Sequence, residues 1–217
     1  MIGAAGAALA LGCQSQAPTS PTGTGTGTST GGSTNAACAV TPTETVGPYP
    51  SLADFVRSDI REGKPGTPLT LTITVVNTGS NCSPVAGANV EIWQCDASGN
   101  YSQYGTQTQQ TYLRGIQTTD ANGQVTFVTV YPGWYQGRAT HIHVEVVRNG
   151  VPAKVTQIAF PEATNAAVYG TGVYASRGAN PTANTRDGIF ADSLSSELAT
   201  VSGDPAGGLT ANFQVSL

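Results

Sequence analysis

From about residue 40 to the C-terminus, apolar side chains recur at every second position, and no helix-length apolar period competes. Leu69, Leu71, Ile73 and Val75 alternate with threonines, as in a strand that buries one face. Val90, Ile92 and Gln94 alternate with Glu91, Trp93 and Cys95, and Leu209, Ala211, Phe213 and Val215 close the chain in the same way. Asp120-Ala121-Asn122-Gly123, between 113–119 and 124–131, carries a hairpin signal. Asn149-Gly150, between 141–148 and 151–159, is the strongest short signal of that kind. The pattern predicts an all-β fold: a β-sandwich of mainly antiparallel strands, with long loops at 96–112 and 161–207.

Composition narrows the class. Only 10% of residues are charged, while Gly (27) and Pro (13) are plentiful, which points to an extracytoplasmic all-β protein. The net charge is −4 and the nine Lys and Arg form no cluster, so a nucleic-acid partner is not expected. No apolar run approaches the roughly 18 residues of a transmembrane helix.

Residues 1–13 resemble a secretory signal, with an apolar run over 2–12. Gly12-Cys13 looks like the end of a bacterial lipoprotein signal, with Cys13 as lipid acceptor; cleavage after Ala8-Leu9-Ala10 is the other reading. The expected location is therefore secreted or lipid-anchored, and a membrane partner enters only through that anchor. Residues 14–37 are uncharged and rich in Gly, Thr and Ser, the composition of a flexible linker. The domain itself spans 38–217. Of its cysteines, Cys82 and Cys95 bracket a turn and a strand and are expected to form a disulfide, with Cys38 free or linked elsewhere.

His141 and His143 are the only histidines, and on a strand their spacing puts both imidazoles on one face. Arg138 lies just upstream, and Tyr135 sits in a Pro-Gly-Trp-Tyr turn. A phenolate is a hard anionic donor that suits ferric iron, whereas zinc more often recruits Cys or a carboxylate.

The segment PGWYQGRATHIHVEV resembles the iron motif of the intradiol ring-cleavage dioxygenases, the family of protocatechuate 3,4-dioxygenase and catechol 1,2-dioxygenase. TPTETVGPYP, EIWQCDASGNY and TQIAFP follow the family's order around it. The resemblance implies Fe(III) held by Tyr101, Tyr135, His141 and His143. The resemblance favours Tyr101 over the nearby Tyr104, because Tyr101 completes the family's W-x-x-x-x-x-G-x-Y pattern from Trp93 through Gly99. It further implies that Tyr135 is displaced by substrate and acts as a base, and that Arg138 stabilises charge on the activated ring. Gln157 would stand close behind the ligands and Tyr49 at the pocket mouth. Trp93 and Trp134 are expected to be packing residues, and Asp187 scaffold. The implied activity is that of a non-haem iron dioxygenase acting on a small aromatic diol and O₂, with no reductant or organic cofactor. A reading from another class is a tethered, non-catalytic β-sandwich whose His-x-His pair binds a divalent metal.

Register tests this assignment. A plain two-residue turn at Asn149-Gly150 would put Gln157 opposite Ile142, on the face away from the histidines. The resemblance places Gln157 on the histidine side, so a bulge or an odd loop is expected between His143 and Gln157.

Overall fold

The computed structural model describes residues 39–217, so the expectations for 1–13, for 14–37 and for Cys38 lie outside the described residues. Strands β1 (Pro68–Asn77), β2 (Ser83–Pro84), β3 (Asn89–Trp93), β4 (Arg114–Thr118) and β5 (Gln124–Val130) come first. The histidine strand β6 (His141–Arg148) and β7 (Val151–Ala159) follow, then helix α1 (Glu162–Tyr169), the short helix α2 (Leu194–Glu197), β8 (Thr200–Asp204) and β9 (Gly208–Ser216). One sheet runs β2-β1-β9-β8 with β5 also on β1; the other runs β4-β3-β6-β7. All pairs are antiparallel except β1 with β9. The expected sandwich is present.

Alternation builds the core. Leu71, Ile73 and Val75 of β1 are fully buried with Val90, Ile92, Ile142, Val144, Val146 and Ile158 of the other sheet in one apolar cluster. The opposite face of that second sheet carries Trp93, His141, His143 and Gln157, which are buried as well. The half-polar pattern of β6 thus conceals a strand covered on both faces.

The expected irregularity between β6 and β7 is found. Arg148 opposes Val151 and Val147 opposes Pro152, as a two-residue turn requires. Asn149 and Gly150 adopt φ of 53° and 76°, the left-handed pair of a type I′ turn. From Val146 opposite Lys154 onward the register is offset by one, leaving Ala153 as the extra residue. His143 therefore opposes Gln157, and the two share a face.

Three expectations need correction. The turn at 120–123 forms, with Asp120 Oδ1 accepting from the Asn122 and Gln124 amides, but it joins no hairpin. β4 pairs with β3 and β5 pairs with β1, so the turn carries the chain between sheets. Turn chemistry is local and does not decide whether the flanking strands form a ladder. The loop over 161–207 holds α1, α2 and β8, each too short for a legible period. Lastly, Cys82 and Cys95 do not pair. Cys82 precedes Ser83, which opposes Asn77 at one end of β1. Cys95 follows Gln94, whose amide donates to the Val130 carbonyl, and Val130 opposes Pro68 at the other end of β1. A strand of ten residues separates them, about 30 Å, far beyond disulfide reach.

Cys95 is a buried free thiol, and burial pushes it up to about 12. It should resist alkylation in the native protein and react after unfolding. Mass mapping of unreduced peptides checks this, and a Cys82–Cys95 linked peptide would overturn it.

Helix α2 docks the buried Glu197 against β7, where the Thr156 and Ser193 hydroxyls donate to its carboxylate. Burial, with Glu44 and Asp192 adding repulsion, raises this group to about 7. A raised carboxyl favours the folded state when protonated, so its cost grows as pH rises from about 4.5 to 7. The variant E197Q should therefore gain about 3 kcal/mol over wild type at pH 8, and the two should converge below pH 5. Urea melts at both pH values measure it.

Candidate metal centre

Three elements deliver the donors. β6 presents His141 and His143, the loop after β3 presents Tyr101, and the loop after β5 presents Tyr135. The Tyr101 and Tyr135 hydroxyls each lie 3.4 Å from His141 Nε2, and His143 Nε2 lies 3.2 Å from the same atom. Among the described residues no group of three or more His, Cys, Asp or Glu could hold a metal ion, so the phenols complete this donor set. Tyr104 is not part of it: its hydroxyl donates to the Pro50 carbonyl at 2.8 Å.

Each imidazole is held in place. His141 Nδ1 lies 2.6 Å from the Ala139 carbonyl, which makes Nδ1 the protonated nitrogen and leaves Nε2 its lone pair. His143 stacks on Trp93 with centroids 4.9 Å apart and planes 1° from parallel. The backbone of Gly47 closes on the ring, where a Cβ would stand 2.8 Å from His143 Cε1. Gly47 also has φ +72°, so a side chain there meets both strain and a clash. His143 Nδ1 and Trp93 Nε1 are buried without a hydrogen-bond partner.

Arg138 comes in beside the donors. Its Nε donates to Asp187 Oδ2 at 2.9 Å and one terminal nitrogen donates to Gln157 Oε1 at 2.6 Å. Gln157 in turn donates from Nε2 to the Thr45 carbonyl at 3.0 Å, tying Arg138 to the segment that carries Gly47 and Tyr49. Tyr49 stacks on Tyr101 at 4.6 Å and meets Tyr135 edge-on at 5.9 Å. Sequence reasoning thus brought together Tyr49, Tyr101, Tyr135, Arg138, His141, His143 and Gln157, and all of them meet here. Trp134 is a packing residue, its indole donating to the Gly178 carbonyl under the Arg177 guanidinium.

Asp187 has a larger part than scaffold. It is fully buried, and Oδ2 accepts from the Ala139 amide as well as from Arg138, while Oδ1 accepts from the Ile189 amide. One carboxylate therefore fixes both Arg138 and Ala139, the residue whose carbonyl orients His141. Nothing in the local sequence around Asp187 signals this, because its partners lie 48 and 49 residues away.

Burial and the nearby arginine set the protonation of these donors. Burial and then Arg138 depress His141 to about 3, and burial, His141 and Arg138 hold His143 well below its ordinary value. Both imidazoles are neutral and available as ligands. Burial raises Tyr101 and Tyr135, against opposing pulls from Arg138 on both and from Arg114 on Tyr101. Metal-free, the phenols keep their protons; a bound cation is what would release them.

The family model described as Dioxygenase matches residues 46–169, which include Gly47, Tyr49, Trp93, Tyr101, Tyr135, Arg138, His141, His143 and Gln157 but not Asp187. The chain is 30% identical over 122 residues to the protocatechuate 3,4-dioxygenase beta chain of Burkholderia cepacia, covering 50% of this chain and 51% of that one. It thus spans about half the length of that curated relative. Among solved structures, an intradiol ring-cleavage dioxygenase from Tetranychus urticae superimposes with TM-score 0.73 at 32% identity, over 82% of this chain and 94% of its own. The dioxygenase domain of a dioxygenase carbohydrate-binding protein fusion from Streptomyces sp. SirexAA-E gives TM-score 0.63 at 31% identity, over 82% and 97%.

Replacing Asp187 by Asn should cost about 3 kcal/mol at pH 7, since Arg138 loses its buried partner. Burial pushes the Asp187 carboxyl up, but the Ala139 and Ile189 amides and Arg138 together hold it below its ordinary value. That stability is present above the ordinary carboxylate pKa and fades as pH falls through the lowered folded-state value, so the gap between D187N and wild type should be smaller at pH 3 than at pH 7. Denaturant melts at pH 7 and pH 3 make the comparison.

Proposed function

As the chain belongs to the intradiol dioxygenase family, we propose that it is a non-haem Fe(III) enzyme that opens a catechol-type ring between its two adjacent hydroxyls. Both atoms of O₂ enter the product, a cis,cis-muconate-type diacid. The observation that carries this reading is the convergence of two phenols and the His143 imidazole on the Nε2 atom of His141. The donor set fits ferric iron: two hard anionic oxygens once deprotonated, two nitrogens, and no thiolate. The His141 and His143 Nε2 atoms lie 3.2 Å apart and face one another, so one cation could draw on both.

Tyr101, Tyr135, His141 and His143 would hold the metal. When bound, it supplies Lewis acidity, lowering the pKa of phenols and of an incoming diol and drawing electron density from the ring. The rest falls to the chain. Tyr135 is half-buried where Tyr101 is enclosed, so Tyr135 is the phenol free to move, and its oxygen takes a proton from the diol. Arg138, fixed by Asp187 and Gln157, presents a preorganised positive charge to the electron-rich ring. Tyr49 gives a flat substrate a flat wall. The metal-binding module without catalysis has no use for the second phenol or the braced arginine.

No reductant or organic cofactor enters this chemistry, which suits a secreted or lipid-anchored domain at 38–217, carried on a signal segment at 1–13 and a linker at 14–37. Protein loaded with ferric iron should be red to brown, from phenolate-to-iron charge transfer. It should consume O₂ in 1:1 ratio with catechol, and Y101F and Y135F should each weaken the colour. Protein that stays colourless with ferric iron, or binds only zinc and takes up no O₂ across a panel of catechols, would sink the proposal.

A further inference from the structure

Arg114 opens β4 opposite Trp93 and is fully buried. Its Nε donates to Ser102 Oγ at 2.9 Å, and one terminal nitrogen donates to the Ser102 carbonyl at 2.7 Å. The other terminal nitrogen donates to the Tyr49 carbonyl at 3.0 Å and to Ser51 Oγ at 3.3 Å. The guanidinium carbon stands 5.9 Å from the Tyr101 ring centroid. Every donor therefore ends on one of two segments. The first is the residue that follows Tyr101, and the second is the loop whose Tyr49 ring stacks on Tyr101.

None of the ion pairs among the described residues involves Arg114. Glu91 acts on it only through space, and a guanidinium buried without a direct ion pair is costly unless its planar fork satisfies several fixed acceptors at once. Two backbone carbonyls and two hydroxyls provide that here. The loop from 96 to 112 has no strand of its own, so nothing in the sheet ladders fixes Tyr101.

We infer that Arg114 is the positioning residue for Tyr101. By clamping Ser102 and the Tyr49 segment together, it sets where the Tyr101 hydroxyl stands relative to His141 and His143. It touches neither substrate nor the reacting atoms. This rests on Tyr101 being a ligand, as proposed above. Lysine keeps the charge but offers a single ammonium on a flexible stem, which cannot span both segments.

The test is a double-mutant cycle between R114K and Y101F, with L71A as a core variant of comparable instability. In metal-free protein the near-UV circular dichroism of R114K should move toward that of Y101F, and the double variant should match Y101F. With ferric iron, R114K should lose at least about half of the visible band and bind iron roughly 10- to 100-fold more weakly. L71A should keep the band. A wild-type band and affinity in R114K, or effects of R114K and Y101F that simply add, overturn the inference. If R114K does not fold, S102A removes one acceptor and leaves Arg114 in place. It should move both signals the same way by less, and unchanged signals overturn the inference. If wild type develops no band with ferric iron, the iron reading fails, while the metal-free cycle still decides the role of Arg114.

Discussion

The extra residue at Ala153 controls what the histidine strand can do. Side chains along a strand alternate strictly between faces, so a shift of one residue in the β6–β7 register exchanges the two faces of β7. With the bulge, Gln157 stands beside His143 and reaches both Arg138 and the Thr45 carbonyl. Without it, Ile158 would face the donors and Gln157 would enter the apolar core against Leu71 and Val144. One unpaired backbone position thus joins the hydrophobic sandwich to a polar, hydrogen-bonded centre.

That centre lies on the outer face of a sheet, a surface that sandwiches usually leave to water. Here it is enclosed by chain lacking regular ladders: the segment around Gly47 and Tyr49, the loop of Tyr101 and the stretch leading to Asp187. These segments are tied down chiefly by side-chain to backbone hydrogen bonds from Arg114, Gln157 and Asp187. The sheet provides rigidity and the loops provide the chemistry, a division common among proteins that bind small molecules.

How much was legible in the sequence follows from the range of the interactions. Alternation is local, so β1, β3, β6 and β9 could be read directly. The His-x-His pair inherited its common face from the same periodicity, whereas Tyr101 was separable from Tyr104 only through the family resemblance. Register could be argued from Asn149-Gly150 and Pro152 only because a functional requirement opposed the simple turn. Pairing between sheets was another matter. The Asp120–Gly123 turn looks the same whether its strands join or part, and Cys82 and Cys95 are near in sequence while the chain between them travels from one end of β1 to the other. Asp187 and Arg114 act through partners that no local pattern connects to them.

The parallel pairing of β1 with β9 has a kinetic consequence. β9 lies between β1 and β8, so the last strand of the chain is an interior strand of its sheet. Leu69 meets Leu209, 140 positions further along the chain. The loop entropy of that closure must be met before the sheet is complete, and contacts of such span slow folding. While a chain of this kind emerges from a ribosome N-terminus first, the donors on β6 and the two phenol loops exist before the sheet beneath them has closed. The candidate metal centre is laid down early in sequence and completed late in time.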